Sequence, residues 1–204
     1  MNVYINELNS RIIKRKFINN KTHLVSKENI LLDYKKYNIE EEEVFINNFP
    51  VEEIYESSLG FAMVANFKAS NDKIKIYVDY DKRIKILESL TLRLLIKNCL
   101  DKYFNLKTSN FYTSPDESYF EIDDIYFDED ANTICDILTK NINTYLSYNL
   151  AIRSNKKKNK TMVNGLIDTE YFPYHLSSLS EIPKFNITRY KIINKALRIY
   201  YSTR

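Results

Sequence analysis

Apolar residues recur near every 3.6 positions in two stretches of the chain, and this spacing is typical of amphipathic helices. The first predicted helix runs from Lys82 to Phe104. Its apolar positions are Leu87, Leu90, Leu94, Ile96 and Leu100. The second predicted helix spans about Asp130 to Tyr148.

Alternating apolar and polar residues around these helices predict strands. Ser114-Pro115-Asp116 favours a turn between the first two strands, and Asn194-Lys195 favours a hairpin turn between the last two. The predicted strands of this part are Thr108 to Thr113, Ser118 to Ile122, Asn149 to Arg153, Phe185 to Ile193 and Ala196 to Tyr201.

The first 80 residues contain only short alternating runs, separated by clusters of Asn, Lys and Glu. This pattern favours a small barrel or a curled sheet. Asn71-Asp72 is interpreted as a hairpin tip between Phe67 and Ile74. The predicted strands are Asn2 to Ile5, Ile12 to Phe17, Asn29 to Asp33, Val44 to Asn47, Gly60 to Phe67 and Ile74 to Val78.

The order of elements predicts an α+β protein. We expect a small β-rich, barrel-like domain over residues 1–80 and an α+β domain over residues 81–204. In the second domain, two main helices lie on one face of an antiparallel sheet and form a two-layer sandwich.

Composition narrows the possible functions. The only glycines are Gly60 and Gly165, so the glycine-rich phosphate loops of Walker-type and dinucleotide-binding proteins are excluded. Cys99 and Cys135 form no CxxC pair and are expected to be buried reduced thiols. No apolar run approaches a membrane span and no signal core is present, so a cytoplasmic protein without a membrane partner is expected.

The net charge of +3 is a mild bias, but the charges are unevenly distributed. Acidic residues cluster at 40–43 and 116–130, whereas the C-terminal part is basic. Two interpretations stay open for the basic part: an ordinary solvated surface, or a surface that faces nucleic-acid phosphates. Its basic residues include Lys156, Lys157, Lys158, Lys160, Lys184, Arg189, Lys191, Lys195, Arg198 and Arg204.

Several separated blocks resemble one family. The first block begins at Ile76 and reads IYVDYDKRIKILESLTLRLL. It is similar to a V-D strand followed by an Arg and a helix with H-x-x-x-H-L-L. LKTSNFYTSPDESYFEID, from Leu106, resembles a K-T, turn and I-D-L succession. YFPYHLSSLSEI, from Tyr171, resembles C-x-G-T-H-V-x-x-T-G-E-I, and Arg198-Ile199 is similar to the closing R-R-I strand. In this order, the blocks resemble the editing domain of alanyl-tRNA editing proteins.

The resemblance implies hydrolysis of the ester that joins a wrongly attached Ser or Gly to alanine-specific tRNA. It also implies a zinc ion held by four residues, and those positions here are Ser89, Arg93, Tyr171 and His175. Only His175 is an ordinary zinc ligand, and Arg93 cannot lose its proton to coordinate a metal. At 4 Å and an effective dielectric near 20, two unit charges repel by about 4 kcal/mol, and a divalent ion roughly doubles this. No zinc or other cofactor is therefore expected.

Each candidate residue has a structural and a functional interpretation. Arg93 is either a surface or acid-paired arginine, with Glu88 or Glu181 as partner, or a cation that grips a phosphate or carbonyl of the RNA acceptor end. His175 is either a retained core or surface histidine or a general base that activates water. As a base it requires a group that polarises the carbonyl, either Arg93 or Thr108.

The predicted substrate-binding residues are Ser89, Tyr171, Phe172, Lys184 and Arg189. Tyr171 and Phe172 either stack on a terminal adenine or fill the volume of a lost zinc site. No nucleophile motif surrounds Ser89, so a role as nucleophile has little support.

The leading expectation is a divergent editing-like protein that binds tRNA acceptor ends or aminoacyl-tRNA without zinc and has little or no hydrolase activity. A metal-independent aminoacyl-tRNA deacylase that uses His175 with Arg93 is the competing enzyme hypothesis. A pseudo-enzyme that acts as a protein-interaction module is the third.

Overall fold

Six strands with an alternating pattern of burial close into an antiparallel barrel in the order β1-β2-β5-β4-β3-β6. The buried side chains of alternate positions form its core, which includes Leu24, Ile46, Met63 and Ile76. The strands are β1 (Glu7–Ile18), β2 (Lys21–Ser26), β3 (Val44–Ile46), β4 (Phe49–Ser57), β5 (Gly60–Ala65) and β6 (Lys73–Val78).

The structure is a computed structural model that describes residues 4–204. It divides into two compact units. The barrel unit comprises the described residues up to Leu32 together with Glu41–Arg83, and the sandwich unit comprises Asp33–Glu40 together with Ile84–Arg204.

A buried ion pair lies inside the barrel unit. Nε and Nη2 of Arg83 each donate to one carboxylate oxygen of Glu42 at 2.5 Å, and Nη1 donates to the carbonyl of Ile30 at 3.0 Å. The two charged side chains are 0% and 1% exposed. The bidentate geometry and the backbone acceptor satisfy charges that would be costly to bury alone.

The sandwich unit is built on a four-stranded antiparallel sheet in the order β12-β13-β8-β7. Its helices are α1 (Tyr34–Tyr37), most of α2 (Tyr80–Phe104), and α3 (Asp128–Leu146). A second sheet has three short strands in the order β11-β10-β9. The strands are β7 (Thr108–Tyr112), β8 (Ser118–Asp123), β9 (Ile152–Asn155), β10 (Lys160–Val163), β11 (Ile167–Glu170), β12 (Asn186–Ile193) and β13 (Ala196–Ser202).

Alternation along the central strands places one face of the four-stranded sheet against the helices. On β8 and β13, the residues Phe120, Ile122, Leu197, Ile199 and Tyr201 are buried, whereas their neighbours along each strand are partly exposed. The α+β class, the largely antiparallel sheets and the barrel-like region are confirmed. Both main helices and the hairpin of β12 and β13 lie within two residues of their predicted bounds.

Other local predictions are wrong. The segment Asn29 to Asp33 is not a strand, although Ile30, Leu31 and Leu32 are buried. Asn71-Asp72 is not a hairpin tip, because β5 pairs with β2 and β4, while β6 pairs with β1 and β3. The strand predicted at Asn149 to Arg153 begins only at Ile152.

Some helices and strands were not predicted at all, namely α1, β2, β4, β10 and β11. Of the strand predicted at Asn2 to Ile5, Asn2 and Val3 lie outside the described residues. Tyr4 and Ile5 precede β1.

Turns are made mainly by asparagine. In residues 4–204, nine of the eleven non-glycine residues with positive φ are asparagines, and the others are Asp124 and Lys195. Asparagine tolerates the left-handed region better than other side chains because its short amide can hydrogen-bond locally. At Asn194 and Lys195, φ values of 51° and 69° produce the two-residue turn that joins β12 to β13.

Both cysteines are free thiols. Cys99 is buried and Cys135 is half-buried, and burial raises the pKa of each thiol, to about 12 and about 11 respectively. No helix within the described residues combines the length and the apolarity that crossing a membrane requires.

Candidate functional site

Ser89 lies in a buried polar cluster between α2 and the sheet. Its hydroxyl is 2.6 Å from the hydroxyl of Ser118, and its backbone carbonyl accepts from the Tyr201 hydroxyl at 3.4 Å. These three side chains are at most 3% exposed. They also line a small cavity of about 100 Å³, too small for a nucleoside or an amino acid ester.

Arg93, one helical turn after Ser89, is buried and makes four hydrogen bonds. Nε and Nη2 donate to the Thr113 hydroxyl at 3.0 and 2.7 Å, while Nη1 and Nη2 donate to the carbonyls of Tyr37 and Asn38 at 2.6 and 3.2 Å. These carbonyls lie at the C-terminal end of α1, where a cation is favoured. In the described part of the chain, no carboxylate accepts from this guanidinium, and burial lowers the pKa of Arg93.

Phe172 packs against the same segment. Its ring meets the Tyr37 ring edge to face at 5.2 Å, and Tyr37 meets Tyr174 in the same manner at 5.1 Å. The Tyr174 hydroxyl accepts from the backbone N–H of Asp33 at 3.1 Å. Tyr171 is half-buried, and its backbone N–H donates to the carbonyl of Asn159. Phe172 therefore already has an aromatic partner within the protein, the ring of Tyr37.

His175 is held at both ring nitrogens. Nδ1 is 2.7 Å from the carbonyl of Leu176, and Nε2 is 2.7 Å from the hydroxyl of Ser154. The Ser154 hydroxyl is also 2.6 Å from the Thr161 hydroxyl, which accepts from the backbone N–H of Phe172 at 2.7 Å. This chain of contacts joins β9, β10 and the segment that follows β11.

The carbonyl of Leu176 fixes the tautomer of His175. A carbonyl only accepts, so Nδ1 carries the ring proton and Nε2 must accept. The single hydroxyl hydrogen of Ser154 has two acceptors within reach, Nε2 and the carbonyl of Phe172 at 2.8 Å, and the Thr161 hydroxyl is 3.2 Å from the same carbonyl. Burial lowers the pKa of His175 from its ordinary value of 6.5, although the Leu176 carbonyl opposes this, so a neutral base faces the Ser154 hydroxyl at neutral pH.

Thr108 lies at a different place, in the α2–β7–β11 cavity, which has a volume of about 370 Å³. This volume is within the range of small-molecule sites, roughly 300–1,000 Å³. The Oδ1 atom of Asn98 is buried and has no hydrogen-bond partner among the described residues. The cavity is lined by Leu94, Lys97, Asn98, Asp101, Leu106, Lys107, Thr108, Ile167, Asp168 and Thr169.

Charges of both signs line this cavity. Asp168 is paired with Lys160 at 2.8 Å, whereas Asp101 and Lys107 make no ion pair within residues 4–204. Burial, and secondarily the charge of Arg93, lowers the pKa of Lys97. Its ammonium group is 5.5 Å from the ring of Phe111. The cavity thus offers both cations and a free carboxylate to a ligand.

Lys184 and Arg189 do not line this cavity. Lys184 is exposed. Arg189 forms an ion pair with Glu117, and its guanidinium lies 3.7 Å from the ring centre of Tyr200.

The predicted site residues are therefore distributed over several places. Of the eight, Thr108 alone lines the α2–β7–β11 cavity. No hydrogen bond joins any two of the side chains of Ser89, Arg93, Tyr171 and His175 in the region that the structure describes. Two groups of residues were not predicted from the sequence: Ser154, which contacts His175, and the cavity residues of α2 beyond Arg93. For the cavity residues, the only pattern in the sequence is the spacing of Lys97, which lies four positions after Arg93 and so on the same side of the helix.

Among the described residues, no three His, Cys, Asp or Glu side chains are grouped so that they could hold a metal ion. No protein-family model matches the chain, and no curated protein matches it significantly.

Proposed function

We propose that the sandwich unit binds the acceptor end of tRNA or aminoacyl-tRNA in the α2–β7–β11 cavity, without zinc and with little or no hydrolase activity. The observation that carries this proposal is the grouping of Lys97, Lys107 and Thr108 around the buried, unpartnered carbonyl oxygen of Asn98. Lys107-Thr108 is also the K-T pair of the resemblance to alanyl-tRNA editing proteins.

The lining suits an aminoacylated nucleotide. The ammonium groups of Lys97 and Lys107 attract phosphate. The Asp101 carboxylate and the Asn98 carbonyl oxygen can accept hydrogen bonds from a protonated α-amine. The Thr108 hydroxyl can donate to an ester carbonyl, and the apolar surface is that of Leu94, Leu106 and Ile167.

The arrangement of the other predicted residues supports weak activity. His175 does not line the cavity, and both of its nitrogens are occupied. Arg93 uses four of its five N–H donors on Thr113 and the end of α1.

A binding experiment tests the proposal. The probe is an acceptor-stem minihelix with a non-hydrolysable seryl amide at its 3′ end. Lys97→Met should weaken binding about 10- to 100-fold, since a charged hydrogen bond contributes about 1.5–3 kcal/mol. Thr108→Val should reduce the preference for the charged over the uncharged minihelix.

Lys140→Met is the matched control, because Lys140 is exposed on α3 and does not line the cavity. Equal affinity of Lys97→Met and Lys140→Met, together with an unchanged preference in Thr108→Val, would refute the assignment of the cavity.

One observation favours a second candidate, metal-independent deacylation. The Ser154 hydroxyl lies 2.7 Å from a neutral His175 whose other nitrogen is oriented by a carbonyl, as a general base requires. Deacylation of Ser-, Gly- and Ala-charged tRNA distinguishes the two. Fast hydrolysis that His175→Gln abolishes and Thr108→Val retains would replace the binding function by this one.

A further inference from the structure

The outward face of three barrel strands carries an unusual set of side chains. On β6, Ile74, Ile76 and Val78 point into the core, so the alternate residues Lys73, Lys75 and Tyr77 point outwards. Strand pairing places β1 residues on one side of them and β3 residues on the other. We call this the barrel outer face, and it comprises Glu7, Asn9, Arg11, Phe45, Lys73, Lys75 and Tyr77, with Glu7 opposite Tyr77.

Two like charges are direct neighbours on this face. Arg11 is the register partner of Lys73, and like charges directly opposite each other destabilise a sheet. Neither side chain has a hydrogen bond or an ion pair in residues 4–204, so no carboxylate of the described chain is paired with either cation. Lys75, two positions further along, pairs with Glu7 at 2.8 Å, and that pair is about half exposed.

The same cations line a groove with a volume of about 610 Å³. Its charged lining consists of four cations and one carboxylate, and the carboxylate belongs to Glu28. This excess of positive charge in a concave surface attracts polyanions. The four cations are Arg11, Lys27, Lys73 and Lys75.

An aromatic stack lies beside the cations. The rings of Phe45 and Tyr77, which are register partners on β3 and β6, are 4.9 Å apart and inclined by only 7°. Both residues are half-buried. Tyr77 is four residues from Lys73 on the same side of β6, or about 13 Å along the strand.

We propose that the barrel outer face binds single-stranded RNA, with backbone phosphates at Arg11, Lys73 and Lys75 and a base stacked on the Phe45–Tyr77 pair. A cationic groove beside flat aromatic rings is the arrangement that recognises single strands. An acidic peptide would use the cations but not the rings. This function goes beyond the proposed acceptor-end binding, because it concerns the barrel unit and does not require the α2–β7–β11 cavity.

The test measures binding of a fluorescent oligouridylate to the full chain over a range of salt concentrations. Arg11→Gln with Lys73→Gln should weaken binding by about tenfold or more at low salt. It should also reduce the slope of log affinity against log salt by about 1.4, since each phosphate contact on a single strand contributes about 0.7. The urea midpoint of this variant should not fall, because a repulsive pair has been removed.

Tyr77→Leu should weaken binding while the salt slope stays unchanged, because stacking releases no counterions. The matched control is Lys35→Gln with Lys140→Gln, which removes the same charge from exposed positions of the sandwich unit. Thr108→Val in the cavity should leave oligouridylate binding unchanged, so a failure of the acceptor-end function is distinguishable from a failure of this one.

Three outcomes overturn the inference. The first is oligouridylate affinity that the Arg11 and Lys73 substitutions do not change, and the second is an equal loss in the lysine control. In the third outcome, the Arg11 and Lys73 substitutions weaken binding to polyglutamate or to vesicles of anionic lipid but do not weaken binding to RNA.

Discussion

Arg93→Met is expected to lower the free energy of unfolding by about 3–5 kcal/mol. The substitution removes the donor of the Tyr37 carbonyl and of the Thr113 hydroxyl, whereas the Asn38 carbonyl keeps a hydrogen bond from the backbone N–H of Thr113 at 3.0 Å. Each buried group that loses its partner costs about 1–3 kcal/mol. Part of this cost is offset, because the variant no longer buries a charge whose desolvation lowers the pKa of Arg93.

Urea unfolding followed by far-ultraviolet circular dichroism measures the change, since the chain has no tryptophan. Lys97→Met is the control. It lies one turn further on the same helix and makes no hydrogen bond among the described residues, so its effect should stay within about 0.5 kcal/mol. Arg93→Lys should be intermediate, because an ammonium group cannot reproduce the planar fork of the guanidinium.

A urea midpoint for Arg93→Met equal to that of Lys97→Met would refute the structural role of Arg93. If such a stable Arg93→Met variant also failed to bind the acceptor minihelix, the hypothesis that Arg93 grips RNA would replace the structural role.

Three further predictions concern stability. Because burial lowers the pKa of His175 below 6.5, the contribution of neutral His175 to the free energy of unfolding is fully present above that pH and is lost as the pH falls towards the folded pKa. His175→Gln should therefore flatten the fall in unfolding free energy between neutral and mildly acidic pH, and an unchanged pH profile would contradict this. Lys195→Gly should stabilise the protein by about 0.5–1 kcal/mol in thermal unfolding, since φ is positive there, and a lower Tm would count against it. Glu42→Gln should lower the free energy of unfolding in urea by about 3–5 kcal/mol, because it leaves Arg83 buried without its counter-charge. The double variant Arg83→Met with Glu42→Leu should lower it by less, and an equal loss in the two variants would contradict this explanation.

Local patterns predicted the parts of the fold that local physics determines. The helical period of α2 and α3 is strong, and Asn194-Lys195 lies between two alternating runs, so both helices and the last hairpin could be predicted. Barrel closure is not local. Asn71-Asp72 resembles a hairpin tip, yet β6 pairs with β1, more than sixty positions away.

The missed strands have identifiable reasons. β4 begins with Phe49-Pro50 and contains Glu52 and Glu53 at a bulge, which obscures the alternation. β10 and β11 are only four residues long, and β10 follows a run of lysines, so their pattern is too short to distinguish from a loop.

The candidate site shows the same limit. Helical spacing relates Ser89 to Arg93, four positions apart on α2, and the structure buries both. It cannot supply their partners, because Ser118, Thr113 and the end of α1 come from distant segments. The contact of Ser154 with His175 spans twenty-one positions and depends on the pairing of β9 with β10.

The asparagine turns affect how this chain compares with others. At positions such as Asn38, Asn105 and Asn159, asparagine occupies a backbone conformation that glycine adopts with less strain. A chain with the same fold could carry glycine at each of these turns without any change in its path. Residue-by-residue comparison would score every such replacement as a mismatch. Sequence identity would then understate the kinship of two chains whose backbones coincide.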